Sequence, residues 1–321
     1  MDPVAHALVG GSLAESGLKQ RTALGTATLL IAATVPDIDV LAYLGGPYTA
    51  LGFRRGVTHG VLAWLVFPLV ITGVMVVWDR VVRRRGGRVP ARPVVPSQLF
   101  VLGLMGFATH MVLDLLNTYG IRLLAPFSNQ WFYGDTLFIA DPWVWAVLGV
   151  GIVLGWWRSK HTKGERVGGR RPRWPPASVA LAVVATYIGI MALSNVIGRS
   201  LVTRAAEGAG LGHPQRLMVA PRPLNPLVRD VVMEIDGRYR FGTWDWRSLR
   251  LRVADMTYDR EPTDFGAAAA TRGPEVRKFL SWARFPYFLV EEGPGGRVVY
   301  VGDARYTLDP RGGSWAAIAV R

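Results

Sequence analysis

The sequence predicts an α-helical integral membrane domain, an N-terminal helical hairpin plus about four transmembrane helices, followed by a small β-rich soluble domain. Three observations point there. Hydrophobic residues make up 50% of the chain, with 12 tryptophans and a mean hydropathy of +0.23, which is too apolar for two ordinary water-soluble cores. The net charge of +14 is concentrated in two short blocks between apolar runs, "DRVVRRRGGRVPAR" (79–92) and "RSKHTKGERVGGRRPRW" (158–174). From residue 200 onward the long apolar runs give way to alternating apolar and polar residues cut by turn dipeptides.

Each element follows in order. "PVAHALVGGSLAESG" and "TALGTATLLIAATVP" flank "LKQR" and read as helix, polar turn and helix, each short for a full span. Asp2-Pro3 suits a helix start and Pro36 closes the second arm. With about 20 apolar residues needed to cross the hydrocarbon core, spans are expected near 57–78, 97–116 and 177–198, with a shorter one near 142–157. Beyond residue 200, "RDVVMEIDGRYRFGTWDW", "FPYFLVEE" and "RVVYVGDARYTLD" carry strand periodicity, and "DG", "GPGG" and "RGG" are hairpin signals. The expected division is therefore residues 1–199 in the membrane domain and 200–321 in the β-rich domain.

The basic blocks set an orientation, because Lys and Arg in short loops stay on the cytoplasmic side. That places the protein in the cell's inner (cytoplasmic) membrane as a multi-pass protein with its C-terminal domain outside the cytoplasm. It also makes nucleic acid an unsuitable partner, since the charge is explained by loops. With no cysteine, disulfides and thiolate metal sites are excluded. The N-terminus has an acid at position 2 and no basic stretch before its apolar residues, unlike a cleaved signal peptide.

The same topology brings three of the five histidines, His6, His59 and His110, to one membrane level. Asp37, Asp39, Asp114 and Asp141 join them. His110 and Asp114 are four apart and share a helical face. Asp37 and Asp39 can aim two carboxylates into one site from a turn. Ionisable groups at membrane depth are costly unless they are paired, wet or metal-bound. Imidazole with carboxylate suits a divalent cation, Zn²⁺ first, with Mn²⁺ or Fe²⁺ as alternatives. Each residue has an ordinary reading as well: His59 as an interfacial histidine, His110 with Asp114 as a helix-stabilising pair, "PDID" as a turn. Convergence from four segments favours the metal. His161, in a basic loop, and His213, beside Pro214, read as structural. Arg54 and Arg55 precede His59 and would favour an anionic substrate such as a phosphoester, or else bind lipid headgroups.

"DPVAHALVG", "PDID", "RRGVTH", "HMVLD" and "GDTLFIADPW" together resemble the membrane-bound metal-dependent hydrolase family, whose best-known bacterial member is under SOS-response control. The resemblance covers roughly residues 1–200, and the remainder is similar to the extension of longer members. It implies His6, Asp37, Asp39, His59, His110 and Asp114 as metal-site residues, with Asp141 nearby. The resulting expectation is a metal-dependent hydrolase at the outer membrane face, acting on an ester or phosphoester of a lipid or lipid-linked substrate. Asp39 or Asp114 would act as general base, and Arg54, Arg55 and Asp141 would contact substrate. The rival is a non-enzymatic scaffold or metal-binding protein whose outer β domain binds a partner.

Overall fold

The computed structural model describes residues 1–83, 92–161, 174–262, 271–293, 296–312 and 315–320. Most of both basic blocks, residues 84–91 and 162–173, lies outside the described residues. The chain forms two compact units, one of Met1–Ile38 with Arg55–Ala192 and one of Asp39–Arg54 with Leu193–Arg321.

The first unit is helical. Helix α1 (Pro3–Glu15) starts where the Asp2 carboxylate accepts the amides of Val4 and Ala5 at 2.9 and 3.1 Å, which satisfies donors that have no partner inside the helix. A short 3₁₀ turn, Leu18–Gln20, leads to α2 (Gly25–Thr34), so the hairpin forms as read. Its tip is fastened to the approach to α5 (Pro96–Leu115): Arg92 donates to the Lys19 carbonyl at 3.0 Å and the Val95 amide to Thr22 Oγ1 at 2.9 Å. Two glycines set how closely these helices approach. A Cβ on Gly10 would lie 2.9 Å from the Leu29 carbonyl oxygen, and one on Gly106 would lie 2.8 Å from Ala32 Cβ. Helix α2 is therefore gripped by α1 and α5 through small residues, the packing that membrane helices favour where no hydrophobic drive separates lipid from protein.

Helix α4 (Ala63–Trp78) turns Leu65, Val66, Leu69, Val70, Val74 and Val77 outward. Helix α6 (Pro142–His161) packs on α1 and on the first part of α7 (Pro176–Gly208), through Val144 and Leu148 against Ala5, Val9, Ala180 and Val184.

Among the described residues, four helical stretches are long and apolar enough to cross a membrane: Gly25–Gly45, Ala63–Arg83, Pro96–Leu115 and Pro176–Gly208. This corrects the expected roster in one place. The second hairpin arm does not stop at Pro36: the α-helix ends at Thr34, and a 3₁₀ run, Val35–Gly45, carries the chain onward. Pro36 removes one amide from the ladder without forcing the chain out of helical dihedrals. The shorter span expected at 142–157 forms helix α6, whose last turn already carries Arg158, Lys160 and His161, so its apolar part is shorter than those of the four. Its tryptophans at 143, 145, 156 and 157 and glycines at 149, 151 and 155 dilute its hydropathy.

The second unit holds two antiparallel meanders, β1 (Arg216–Pro221), β2 (Val228–Ile235), β3 (Arg238–Asp245) and β4 (Arg250–Asp259), then β5 (Pro286–Gly293), β6 (Gly296–Asp303) and β7 (Ala317–Val320). The "DG" turn behaves as read: Ile235 pairs with Arg238, and Asp236 and Gly237 have φ of 50° and 73°, the left-handed pair that a two-residue hairpin needs. For "GPGG", pairing runs to Gly293 and Gly296, and residues 294 and 295 lie outside the described residues, as does Gly313 of "RGG". The first sheet is covered on both faces. Leu217, Val219, Val231 and Met233 pack with Val202 and Ala206 of α7, while Met218, Ala220 and Val232, one residue out of phase, pack with Phe285 and Tyr287. Helix α8 (Pro274–Trp282) and the short α3 (Pro47–Phe53) complete this unit, the Lys278 ammonium donating to Thr49 Oγ1 at 3.1 Å.

Candidate metal centre

The helix contacts of the first unit place the polar residues. His6 lies one turn before Gly10 on α1, and His110 lies one turn after Gly106 on α5. The small residues that allow close helix approach thus stand on the same faces as the imidazoles. Asp114 follows one further turn along α5. Asp37 comes from the 3₁₀ run after α2. His59 ends a 3₁₀ turn, Val57–His59, set between Gly56 and Gly60 ahead of α4. It is therefore held by an irregular segment rather than by the helix that the apolar run suggested.

Asp37, His59, His110 and Asp114 each offer one ligand atom, and these atoms all lie within 4.8 Å of one another. All four are buried, His59, His110 and Asp114 completely. The His59 and His110 Nε2 atoms are 3.1 Å apart. Asp114 Oδ2 lies 3.2 Å from the first and 3.5 Å from the second. His6 stacks on His110 with ring centres 3.8 Å apart, and its Nε2 is 3.2 Å from Asp114 Oδ1.

Hydrogen bonds behind the rings orient them. His110 Nδ1 is 2.8 Å from the Ala33 carbonyl oxygen, and because a carbonyl only accepts, Nδ1 carries a hydrogen and Nε2 is the nitrogen turned to the cluster. His59 Nδ1 is held by the Thr58 hydroxyl at 2.8 Å. Partners of this kind on the outer nitrogen are what orient histidine ligands at metal sites.

On the other side of Asp114, Oδ1 is gripped by Arg55 Nη2 at 3.0 Å and also meets the Met1 amine. Arg55 is 2% exposed. It donates further to Asn117 Oδ1 at 3.0 Å and to the Gly120 carbonyl at 3.2 Å, and lies 4.6 Å over the Tyr119 ring. Its guanidinium lies inside the protein, on the Asp114 carboxylate. The left-handed backbone of Arg55, φ 53°, turns it away from its neighbour.

The remaining expected site residues are placed otherwise. Arg54 pairs with Asp39 at 3.2 Å, and both belong to the second unit. Asp141 caps α6: Oδ1 accepts the Trp143 and Val144 amides at 3.0 and 3.2 Å, and Oδ2 accepts the Tyr187 hydroxyl at 3.0 Å. The four-residue cluster contains neither Asp39 nor Asp141. His161 lies exposed at the end of α6, its Nδ1 on the Trp157 carbonyl, and His213 pairs with Glu207 at 2.7 Å. Asn117 went unnoticed in the sequence. It is fully buried, and its Oδ1 accepts the Tyr119 amide at 2.8 Å as well as Arg55. An asparagine at the end of an apolar helix, with a glycine three residues on, reads as a turn, and that reading conceals its hold on the arginine.

Four apolar helical stretches, with imidazoles and carboxylates turned inward to one buried cluster, define a multi-pass membrane protein whose centre is able to hold a cation. Residues 1–196, more than half of the chain, match the YdjM inner membrane protein family, and the chain belongs to that family. The match contains the whole cluster and assigns the protein to the inner membrane. The chain is also similar to YfhP of Bacillus subtilis (strain 168), described as an uncharacterized protein, with 24% identity over 115 residues. That alignment covers 36% of this chain and 32% of the relative, so the chain spans about a third of the length of the curated relative it matches. No solved structure matches the chain.

Proposed function

We propose that the cluster of Asp37, His59, His110 and Asp114 binds a divalent cation, Zn²⁺ before Mn²⁺ or Fe²⁺, and that the protein is a membrane-bound hydrolase. Its substrate class is an ester or phosphoester of a lipid or a lipid-linked molecule. The observation that carries the cation is Asp114 Oδ2. It is fully buried, takes no hydrogen bond and faces two imidazole nitrogens. A hydrogen bond between the two imidazoles would satisfy the rings and still leave Asp114 Oδ2 buried without a donor, which is costly for a carboxylate oxygen. A cation among the four ligand atoms would meet that oxygen.

When bound, the cation supplies Lewis-acid polarisation of the scissile group and a nucleophilic water at neutral pH. The chain's own residues do the positioning. Ala33 and Thr58 hold the two imidazoles, and Arg55 with Asn117 holds Asp114. With Asp114 engaged on both oxygens, it is assigned to ligation. His6, whose Nδ1 takes no hydrogen bond while Nε2 rests on Asp114, is the group suited to proton transfer.

Burial favours a second reading. Catalytic zinc sites keep an open position, whereas structural ones are closed, and this cluster is closed. In that reading the protein is a metal-binding scaffold whose β-rich unit meets a partner. Metal content, measured by mass spectrometry on protein purified without chelators, tests the cation in both readings. One or two equivalents are expected, with His110→Ala losing about 10–100-fold in affinity, by comparison with outer-shell ligand partners, and His161→Ala keeping its metal. Metal-free wild type, or equal retention by both variants, would remove the centre. Hydrolysis that disappears with the metal and returns with it separates enzyme from scaffold.

We further propose that α6 crosses the membrane as the shorter span and that the second unit faces away from the cytoplasm, supported by the two basic blocks, which then lie on one side, and by the positive-inside rule. In this cysteine-free chain, Arg247→Cys should react with an impermeant thiol reagent on intact cells and His161→Cys should not. The reverse pattern would overturn the orientation.

A further inference from the structure

Within the second unit, the C-terminal part of α7, strand β1 and the residues before β5 enclose a cleft of about 640 Å³. Four arginines line it, Arg199, Arg204, Arg216 and Arg284, together with the hydroxyls of Ser200 and Thr203, and no carboxylate is among the lining residues. Like charges gathered this way repel one another unless something negative lies between them.

The arginines are held in place from behind. Arg199 donates to the Leu217 carbonyl at 2.6 Å. Arg216 lies 4.9 Å over the Phe285 ring, with Arg284 5.1 Å from the same ring, so one aromatic ring supports two guanidinium groups. Arg216 also meets Glu234 at 3.3 Å, but that carboxylate is shared with Arg260 at 2.9 Å and leaves the cleft positive. Arg204 is exposed on α7, one helical turn from Ser200.

A guanidinium presents several N–H donors in a planar fork that matches the oxygens of a phosphoryl group, and two hydroxyls add short, adaptable donors. Position along α7 adds a second argument. The exposed apolar residues Leu193, Val196 and Ile197 end immediately before Arg199. At 1.5 Å of rise per residue, Arg199 to Arg204 occupy roughly the next 10 Å of the helix, the depth at which a span meets phospholipid headgroups.

We infer that this cleft binds a phosphoryl group, carried by a lipid headgroup or by a soluble phosphate. The inference is independent of the metal centre. The test uses the full chain in a neutral detergent, titrated with dioctanoyl phosphatidic acid and separately with inorganic phosphate, and read by native mass spectrometry and tryptophan fluorescence.

Arg204→Glu should weaken saturable binding about tenfold or more, the loss of a charged hydrogen-bond partner. Arg247→Glu makes the same charge change at an exposed residue outside the cleft and should stay within about twofold of wild type. Phosphate that binds by itself and displaces the lipid identifies a soluble phosphate as the ligand, and binding of the lipid alone identifies a headgroup; either outcome supports the site. Absence of saturable binding by both probes, unchanged binding in Arg204→Glu, or equal weakening in the two variants would overturn it.

Discussion

Asp303 in the β-rich unit and Asp114 in the helical unit are both fully buried, and both face an arginine. Their surroundings differ in one respect. Asp303 is saturated: Oδ1 accepts the Arg305 amide at 2.9 Å, Oδ2 accepts the Arg284 amide at 2.7 Å, and the Arg305 guanidinium covers both oxygens. Asp114 has donors on Oδ1 only, and its Oδ2 faces imidazole nitrogens. A buried carboxylate whose hydrogen bonds are complete needs nothing else. One that is half complete beside two histidines and a second carboxylate has the donor set of a cation site. The contrast teaches that burial and an arginine partner do not by themselves mark function; the unfinished side does.

Removing the charge at each position separates the two roles. Asp303→Asn leaves Arg305 buried without its counter-ion, and breaking a buried pair costs about 3–5 kcal/mol. The β-rich unit should unfold at a clearly lower denaturant concentration, with bound metal unchanged. Asp114→Asn should lose bound metal by at least about 10–100-fold. If Asp114→Asn kept its metal and lost only stability, Asp114 would be a second Asp303, and the distinction between them would fail.

Much of this contrast was legible in the sequence. The spacing of His110 and Asp114 put both on one face of a helix, and the topology brought His6, His59 and Asp37 to the same end. The "DG" hairpin and the strand periodicities were equally plain. What stayed hidden depended on backbone direction at single residues. Arg54 and Arg55 are adjacent, yet a left-handed φ of 53° at Arg55 sends it inward to Asp114 while Arg54 pairs with Asp39. Asp37 and Asp39, two apart, fall in different units. Asp141 stands before Pro142 and could have been read as a helix cap, since an acid followed by proline is a helix start. Its membrane level drew it into the site instead. The length of the second hairpin arm is not legible because a proline ordinarily stops a helix, whereas a 3₁₀ run passes through Pro36.

The smallest effect is expected at Asp309, which has nearly the acceptor pattern of Asp303 but lies at the surface. Its Oδ1 accepts the Arg311 side chain at 2.7 Å and the Arg311 amide at 3.1 Å. Those bonds, the side-chain one first, hold its carboxyl below the ordinary value of 3.8. A carboxyl with a depressed folded-state value adds stability above the unfolded value and loses it as pH falls through the folded one. Solvent screening keeps that contribution small for an exposed pair. Asp309→Asn should therefore melt slightly below wild type at neutral pH in low salt. The gap should close as the pH falls below about 3.8 and should narrow with added salt at pH 7. Melting curves of the two proteins between neutral and acid pH check this, and a gap that widens toward acid would show that Asp309 matters through packing and not through its charge.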